Sequence, residues 1–213
     1  MSSGRARSTK QPEGPVWALT IERLCEHARG DRIRTYGRYS LAIGGVVQPS
    51  ISGFTCEAPG PGSNEKEGVD RLRAREGTYP LRFHHSDRYR TADYDPDVET
   101  KGVHPLPAVH FVLEHSKARS NLLIHPAHFF EPDYPHEGAR SDLFLSSIGC
   151  VNPTGPLEPD QDMDYRESRS RVLDILESLS RHVGGLERFA PDQDFPNSVL
   201  TIVGEPPAAT GKP

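Results

Sequence analysis

A histidine and a cysteine with the chemistry of a base and a thiol nucleophile lie near the two ends of one segment. The segment 121–152 begins with an apolar run that leads to His125, and it closes on Ser147-Ile148-Gly149-Cys150-Val151-Asn152. A cysteine attacks a carbonyl as its thiolate, and a neighbouring imidazole can take the thiol proton. Gly149 has no Cβ, which leaves room for a substrate carbonyl. We therefore expect His125 and Cys150 to meet in space.

The closing hexapeptide resembles the active-site signature of the L,D-transpeptidase catalytic domain. In that family a histidine is followed at a distance by Ser/Thr-His-Gly-Cys, a hydrophobic residue and Asn or Arg. The matching positions here are Ser147, Gly149, Cys150, Val151 and Asn152, with His125 upstream and Ile148 in place of the second histidine. The resemblance implies that Cys150 is the nucleophile and His125 the base, and that a main-chain carbonyl next to the histidine, such as that of Pro126, orients the imidazole.

A wider resemblance covers residues 17–204. The order of an early strand, Glu57, Gly77-Thr78-Tyr79-Pro80, the histidine, the cysteine, a helix and a last strand is similar to small L,D-transpeptidase-like domains of phages and bacteria. It is also similar to transpeptidase-like toxins that type VI secretion systems deliver. The family cleaves peptidoglycan stem peptides through an acyl-enzyme. Cross-linking, D-amino-acid exchange or L,D-carboxypeptidase action then follows, and the resemblance implies no cofactor.

The remaining predicted site residues would bind the substrate. Backbone N–H groups around Gly149 and Cys150 would receive the oxyanion. The position of Ser147 in the signature suggests a hydrogen-bond donor, and Asn152 belongs to the same matched set. Arg140, in the intervening loop, would meet a substrate carboxylate. The expected partners are therefore peptidoglycan stem peptides and, for a secreted toxin, an immunity protein.

Two other functions stay open at this stage. The first is a binding module of a cell wall or phage in which the fold persists and the thiol is idle. The second is a zinc hydrolase that uses His125-x-x-His128 with Asp133 or His136, although no H-E-x-x-H helix supports it. We expect no metal at the site.

Composition narrows the class of protein. The 213 residues are enough for one domain with a core, and 19 glycines and 20 prolines predict many loops. A net charge of −5 argues against a nucleic-acid-binding surface. No apolar run is long enough for a membrane span, and residues 1–15 lack the apolar region of a signal peptide. We expect synthesis in the cytoplasm and, for a wall-directed enzyme, action in the periplasm after specialised secretion.

Hydrophobic periodicity predicts a mainly β fold with one C-terminal helix. Trp17, Leu19 and Ile21 alternate with more polar residues, and Gly44-Gly45 indicates a hairpin. Apolar residues at helical spacing follow Asp164 until Gly184-Gly185, and prolines after Asn152 predict the end of a strand region. We expect an antiparallel β sandwich or partly closed barrel of L,D-transpeptidase type over residues 16–204, between a disordered arm (1–15) and a Pro-rich tail (205–213).

Overall fold

The structure is a computed structural model that describes residues 14–65, 72–84, 108–111, 119, 122–127, 143–145, 149–190 and 193–209. In these ranges the chain forms eight strands, one α-helix and a short 3₁₀ turn at Leu186–Arg188. The strands are β1 (Trp17–Arg29), β2 (Arg32–Ile43), β3 (Val46–Glu57), β4 (Gly77–His84), β5 (Ala108–Phe111), β6 (Leu123–Ile124), β7 (Asn152–Thr154) and β8 (Asp194–Val203), and the helix is α1 (Tyr165–Val183). None of the described helices is long and apolar enough to cross a membrane.

All eight strands belong to one curled sheet with the order β6-β5-β4-β8-β1-β2-β3-β7. The predicted mainly β fold with one helix is confirmed for the described residues. The pairing is antiparallel throughout the ladder except between β1 and β8, which run parallel, so the sheet is mixed. The two outer strands approach each other at a parallel bridge between Ile124 and Val151, which gives the sheet the form of a half-barrel.

Local sequence rules explain the first hairpin. Trp17, Leu19 and Ile21 are buried on one face of β1, as the period of two requires. Gly44 and Gly45 have φ angles of +59° and +82° between the paired residues Ile43 and Val46. A two-residue turn with both φ angles positive matches the twist of the strands and strongly favours glycine.

The helix begins and ends where its capping residues predict. Asp164 is the N-cap, and its Oδ1 accepts a hydrogen bond from the backbone N–H of Glu167 at 2.7 Å. Gly184 ends the helix in the left-handed conformation with φ +75°. The apolar face of α1 packs on the sheet through Val172, Ile175, Leu176 and Leu179, all within the main core. Each such buried side chain contributes about 1.5–3 kcal/mol.

A network of buried charges fixes the loop that follows β3. Arg23 of β1 donates two hydrogen bonds to Glu57, at 3.0 Å and 2.8 Å, and both side chains are almost completely buried. Arg73 pairs with Glu26 and with Glu205, each at 2.7 Å. The contacts of the fold thus continue past Gly204 into residues that composition assigns to a tail. Removing one member would leave its partner buried and uncompensated, which typically costs about 3–5 kcal/mol.

The strand region extends further after Asn152 than its prolines predict. Pro153 lies within β7 and pairs with Thr55 of β3. Proline lacks an N–H donor and is tolerated where a strand lies at the edge of a sheet. Because β7 lies at the edge of the sheet, it can include Pro153. The prediction that prolines end the sheet directly after Asn152 is therefore wrong, since the strand continues for two more residues.

Candidate active site

The predicted nucleophile and base lie where the two outer strands of the sheet meet. The backbone N–H of His125 donates to the carbonyl of Val151 at 3.1 Å, and the N–H of Val151 donates to the carbonyl of Leu123 at 2.9 Å. The segments 122–126 and 149–152 therefore run side by side in parallel. We call this junction the seam. It brings together two parts of the chain that are separated by the long loop between them.

The geometry of the seam sends both reactive side chains to the same side. Ile124 and Val151 face each other across the bridge and are buried in the main core. Side chains alternate along a strand, so His125 and Cys150 project to the opposite side. The bridge thus places the segments that carry the two predicted residues side by side. A direct contact between the imidazole and the thiol stays a prediction.

The orientation of the imidazole follows from its backbone contact. Nδ1 of His125 lies 2.7 Å from the carbonyl oxygen of Pro126, and the side chain is buried. A carbonyl oxygen only accepts hydrogen bonds, so Nδ1 carries the proton and donates it to Pro126. Nε2 is then the basic nitrogen, which is the tautomer that a proton acceptor needs. The carbonyl of Pro126 is thus the group that orients the imidazole through Nδ1.

The thiol of Cys150 is surrounded by protein, but it accepts a hydrogen bond and lies near a positive charge. The residue is partly exposed, and the backbone N–H of Leu123 donates to its sulfur at 3.4 Å. Burial raises the pKa of the Cys150 thiol to about 11, while the Leu123 N–H and the charge of Arg119 lower it. At neutral pH the thiol is protonated. The proton must therefore leave during the attack, which makes a nearby base essential.

Asn152 supports the histidine from behind. Its side chain has no exposed surface, and Nδ2 donates to the carbonyl of His125 at 3.0 Å and lies 3.2 Å from Nδ1 of the imidazole. Sequence reasoning assigned Asn152 to the substrate-binding set. Its described contacts are with the imidazole and with the carbonyls of His125 and Pro126, so it helps to hold the histidine in place.

Ser168 of α1 connects both sides of the seam and was not predicted from the sequence. Its hydroxyl accepts from the backbone N–H of Ala127 at 2.8 Å and donates to the carbonyl of Pro153. Ala127 follows the histidine and Pro153 follows Asn152, so one buried hydroxyl fixes both segments. A serine on the buried face of a helix was the available clue, but nothing in its spacing indicates what it contacts.

Arg119 is a second residue next to the seam that sequence reasoning missed. Its guanidinium packs against the backbone of Gly149, so closely that a Cβ at this position would collide with Nη2. The glycine in the signature was interpreted as space for a substrate. In the structure that space also admits an arginine, a contact that the sequence had no means of identifying.

Other predicted site residues lie outside the described residues. These are Arg140, Ser147 and Ile148 of the transpeptidase-like site, and His128, Asp133 and His136 of the zinc alternative. Among the residues that the structure does describe, no group of three His, Cys, Asp or Glu side chains is arranged to hold a metal ion. The seam as described consists of a thiol, an imidazole and their hydrogen-bonding neighbours.

A groove of about 440 Å³ lies on the outer side of β1, β2 and β3. It is lined by Thr20, Glu22, Arg38, Tyr39, Ser40, Ser52, Gly53 and Phe54. Thr20, Ser40 and Ser52 are in register across the three strands, so their hydroxyl groups form a row. Phe54 lies two residues before Cys56, which pairs with Asn152, and the groove therefore opens on the same face of the sheet as the seam.

Comparison with protein-family models, curated proteins and solved structures finds no significant match. The proposed function therefore rests on the sequence motif and on the chemistry of the seam.

Proposed function

We propose that this protein is a cysteine-dependent enzyme that acts on peptidoglycan stem peptides through an acyl-enzyme, as an L,D-transpeptidase or L,D-carboxypeptidase. The observation that carries the proposal is the hydrogen bond from Nδ1 of His125 to the Pro126 carbonyl, at 2.7 Å, on the face that also bears Cys150. This contact leaves Nε2 as the basic nitrogen, on the segment adjacent to a thiol that needs a base. The substrate class follows from the resemblance of the Ser147–Asn152 sequence to the L,D-transpeptidase signature.

The first half of the reaction forms a thioester. The Cys150 sulfur attacks the carbonyl carbon between the third and fourth stem residues, and Nε2 of His125 takes the thiol proton. Backbone N–H groups at Gly149 and Cys150 receive the negative charge that develops on the oxygen. Loss of one such donor typically costs about 2.7–4 kcal/mol of barrier. The C–N bond then breaks, and the imidazolium gives its proton to the departing amine.

The second half depends on the acceptor. An amine from another stem gives a cross-link, a free D-amino acid gives an exchanged stem, and water gives a shortened stem. In each case His125 takes a proton from the attacking group, the C–S bond breaks, and the sulfur recovers a proton. The partly exposed Cys150 is compatible with an acceptor that arrives from solvent.

The direct test is the fate of a purified tetrapeptide muropeptide. We expect the full chain to release the terminal D-amino acid or to exchange it, with the mass change read by mass spectrometry, and Cys150→Ala to leave the substrate intact. Cys56→Ala is the matched control, since Cys56 is buried away from solvent. Unchanged muropeptides with wild-type protein, with and without an amine acceptor, would refute the enzyme proposal.

Delivery as a type VI effector is the biological form of this proposal. Such an enzyme would act in the periplasm of a competitor, and its producer would carry an immunity protein. We expect the chain to be toxic in a bacterium when a leader directs it to the periplasm and harmless without that leader. Toxicity that persists in Cys150→Ala would contradict the enzymatic basis of the effect.

A binding module is the second candidate, and the groove on the outer side of β1, β2 and β3 favours it. A row of hydroxyl groups next to the Glu22–Arg38 ion pair and Phe54 offers the donors, acceptors and apolar surface that a sugar chain requires. Binding to purified cell walls that is equal in wild type and Cys150→Ala, without any change in the muropeptides, would favour this candidate over the enzyme. For the zinc alternative, metal analysis of the purified protein is the test.

A further inference from the structure

We propose that Arg119 is a positioning residue of the site, which braces the Gly149–Cys150 backbone and places a positive charge that favours the thiolate of Cys150. The proposal rests on the proposed role of Cys150 as nucleophile. It adds a residue that lies about thirty positions before the cysteine and belongs to no part of the signature.

Arg119 is held on its far side by the loop that follows β3. Its backbone N–H donates to the carbonyl of Asn64 at 3.0 Å. Its Nη1 donates to the carbonyl of Leu72 at 2.5 Å and to that of Ser63 at 3.3 Å. Three carbonyls from two parts of one loop therefore fix both the backbone and the side chain of this residue.

The loop itself is anchored by buried charges, so it gives Arg119 a firm support. The N–H of Ser63 donates to the carbonyl of Arg73 at 2.9 Å, and the N–H of Arg73 donates to Pro59 at 3.0 Å. The guanidinium of Arg73 is paired with Glu26 and Glu205. Arg119 thus connects the charge network of the sheet to the cysteine segment.

On its near side the guanidinium occupies the space that a side chain at position 149 would need. Gly149 has φ +144°, which side-chain-bearing residues rarely adopt, and a Cβ there would collide with Nη2 of Arg119 and lie 2.9 Å from the carbonyl of Leu72. The missing Cβ and the arginine are therefore complementary. Arg119 limits the movement of the backbone that carries the nucleophile and the expected oxyanion donors.

The charge of Arg119 acts on the sulfur as well. Among the described residues, the charged or titratable groups near Cys150 are Arg119 and, from the adjacent segment, His125. Burial raises the pKa of the Cys150 thiol, and the guanidinium opposes this rise, as does the Leu123 N–H. A cation beside a sulfur stabilises the thiolate that forms as the proton moves to the base.

Site-resolved alkylation of the full chain tests this inference without any substrate. Cys150 is treated with iodoacetamide between pH 7 and pH 10.5 in wild type, Arg119→Met, Arg119→Lys and the control Arg181→Met, which removes an exposed arginine of α1 that lies 4.0 Å from Glu177. We expect Arg119→Met to slow alkylation of Cys150 about three- to tenfold at pH 8 and to displace its profile to higher pH. The alkylation rate of Arg119→Lys should lie between the rates of wild type and Arg119→Met. The rate of the control should match that of wild type.

Two outcomes would overturn the proposal. One is a folded Arg119→Met protein with the wild-type rate and pH profile at Cys150. If that variant does not fold, Arg119→Lys decides, because a lysine ammonium lacks the planar fork that reaches both the Leu72 carbonyl and Gly149, and an unchanged rate would then refute the brace. Muropeptide turnover by wild type is measured in parallel. Its absence would count against the proposed enzyme, while the alkylation series would still decide the role of Arg119.

Discussion

Cys56 and Cys150 lie on the same face of the sheet in contrasting surroundings. Cys56 of β3 pairs with Asn152 of β7, has no exposed surface and packs with Tyr36, Ala127 and Met163. Cys150 lies in the seam two residues before Asn152, is partly exposed and accepts a hydrogen bond from the Leu123 N–H. Two thiols on one face of the sheet thus have different surroundings.

The two thiols differ in their neighbours more than in their pKa. Burial raises the pKa of the Cys56 thiol to about 12 and that of Cys150 to about 11, so neither ionises readily at neutral pH. Each thiol also has a guanidinium nearby that lowers its pKa, Arg34 for Cys56 and Arg119 for Cys150. Cys150 has in addition an N–H donor, partial exposure and an imidazole on the adjacent segment. For the proposed nucleophile, the neighbouring base is therefore a more distinctive feature than a low resting pKa.

The largest expected effect comes from removing the reactive sulfur. Cys150→Ala should reduce muropeptide turnover by at least about a thousandfold, because the Cys150 sulfur forms the acyl-enzyme in the proposed mechanism. Cys56→Ala should keep most of the activity and lose about 1 kcal/mol of stability by leaving a small cavity. If the two variants lost activity equally, the contrast between the two thiols would be wrong.

Loss of the base should have the next largest effect. His125→Gln retains a polar side chain but cannot accept the thiol proton, so we expect kcat to fall by about a hundredfold or more. His182→Gln, near the C-terminal end of α1, is the control and should behave as wild type. Steady-state turnover of the same muropeptide measures both. A His125→Gln protein with normal kcat would show that the thiol loses its proton by another route.

Elements with local signals were predictable from the sequence. The alternation at Trp17–Ile21, the Gly44-Gly45 turn and the Asp164 and Gly184 caps each depend on residues a few positions apart. His125 and Cys150 were identified through the motif, and their meeting followed as a hypothesis. The structural elements and the motif could both be predicted because each depends on residues that are close together in the sequence.

Features that depend on distant pairings were not predictable. The bridge between Ile124 and Val151 joins strands at opposite ends of the sheet order, which no local pattern encodes. The parallel pairing of β8 with β1 is of the same kind. Glu205 belongs to the segment whose composition predicts a tail, but it pairs with Arg23 and Arg73. The positions of these two arginines are set by the whole sheet.

Variants of Asn152 test the support of His125 while leaving His125 itself unchanged. Asn152→Ala removes the donor to the His125 carbonyl, and we expect kcat to fall about tenfold, with a loss of about 1–3 kcal/mol in the free energy of unfolding. Asn152→Asp should be worse on both measures, since it places a carboxylate beside the carbonyls of His125 and Pro126 in a buried position. Turnover and urea unfolding of both variants test this. If Asn152→Asp were as stable as wild type, the side chain would not be held as described.

The smallest expected effect concerns Cys56 as a buried neutral thiol. In the unfolded chain its pKa is near 9, and in the folded protein burial raises that pKa to about 12. The unfolded state therefore gives up this proton first as the pH rises, so the stability that the buried thiol contributes is complete below pH 9 and is lost progressively between pH 9 and pH 12. Cys56→Ala should be less stable than wild type at pH 7, and the difference should shrink above pH 9. Urea unfolding at pH 7, 9 and 10.5 measures this difference, and a gap that stays constant to pH 10.5 would mean that Cys56 ionises as easily in the folded protein as in the unfolded chain.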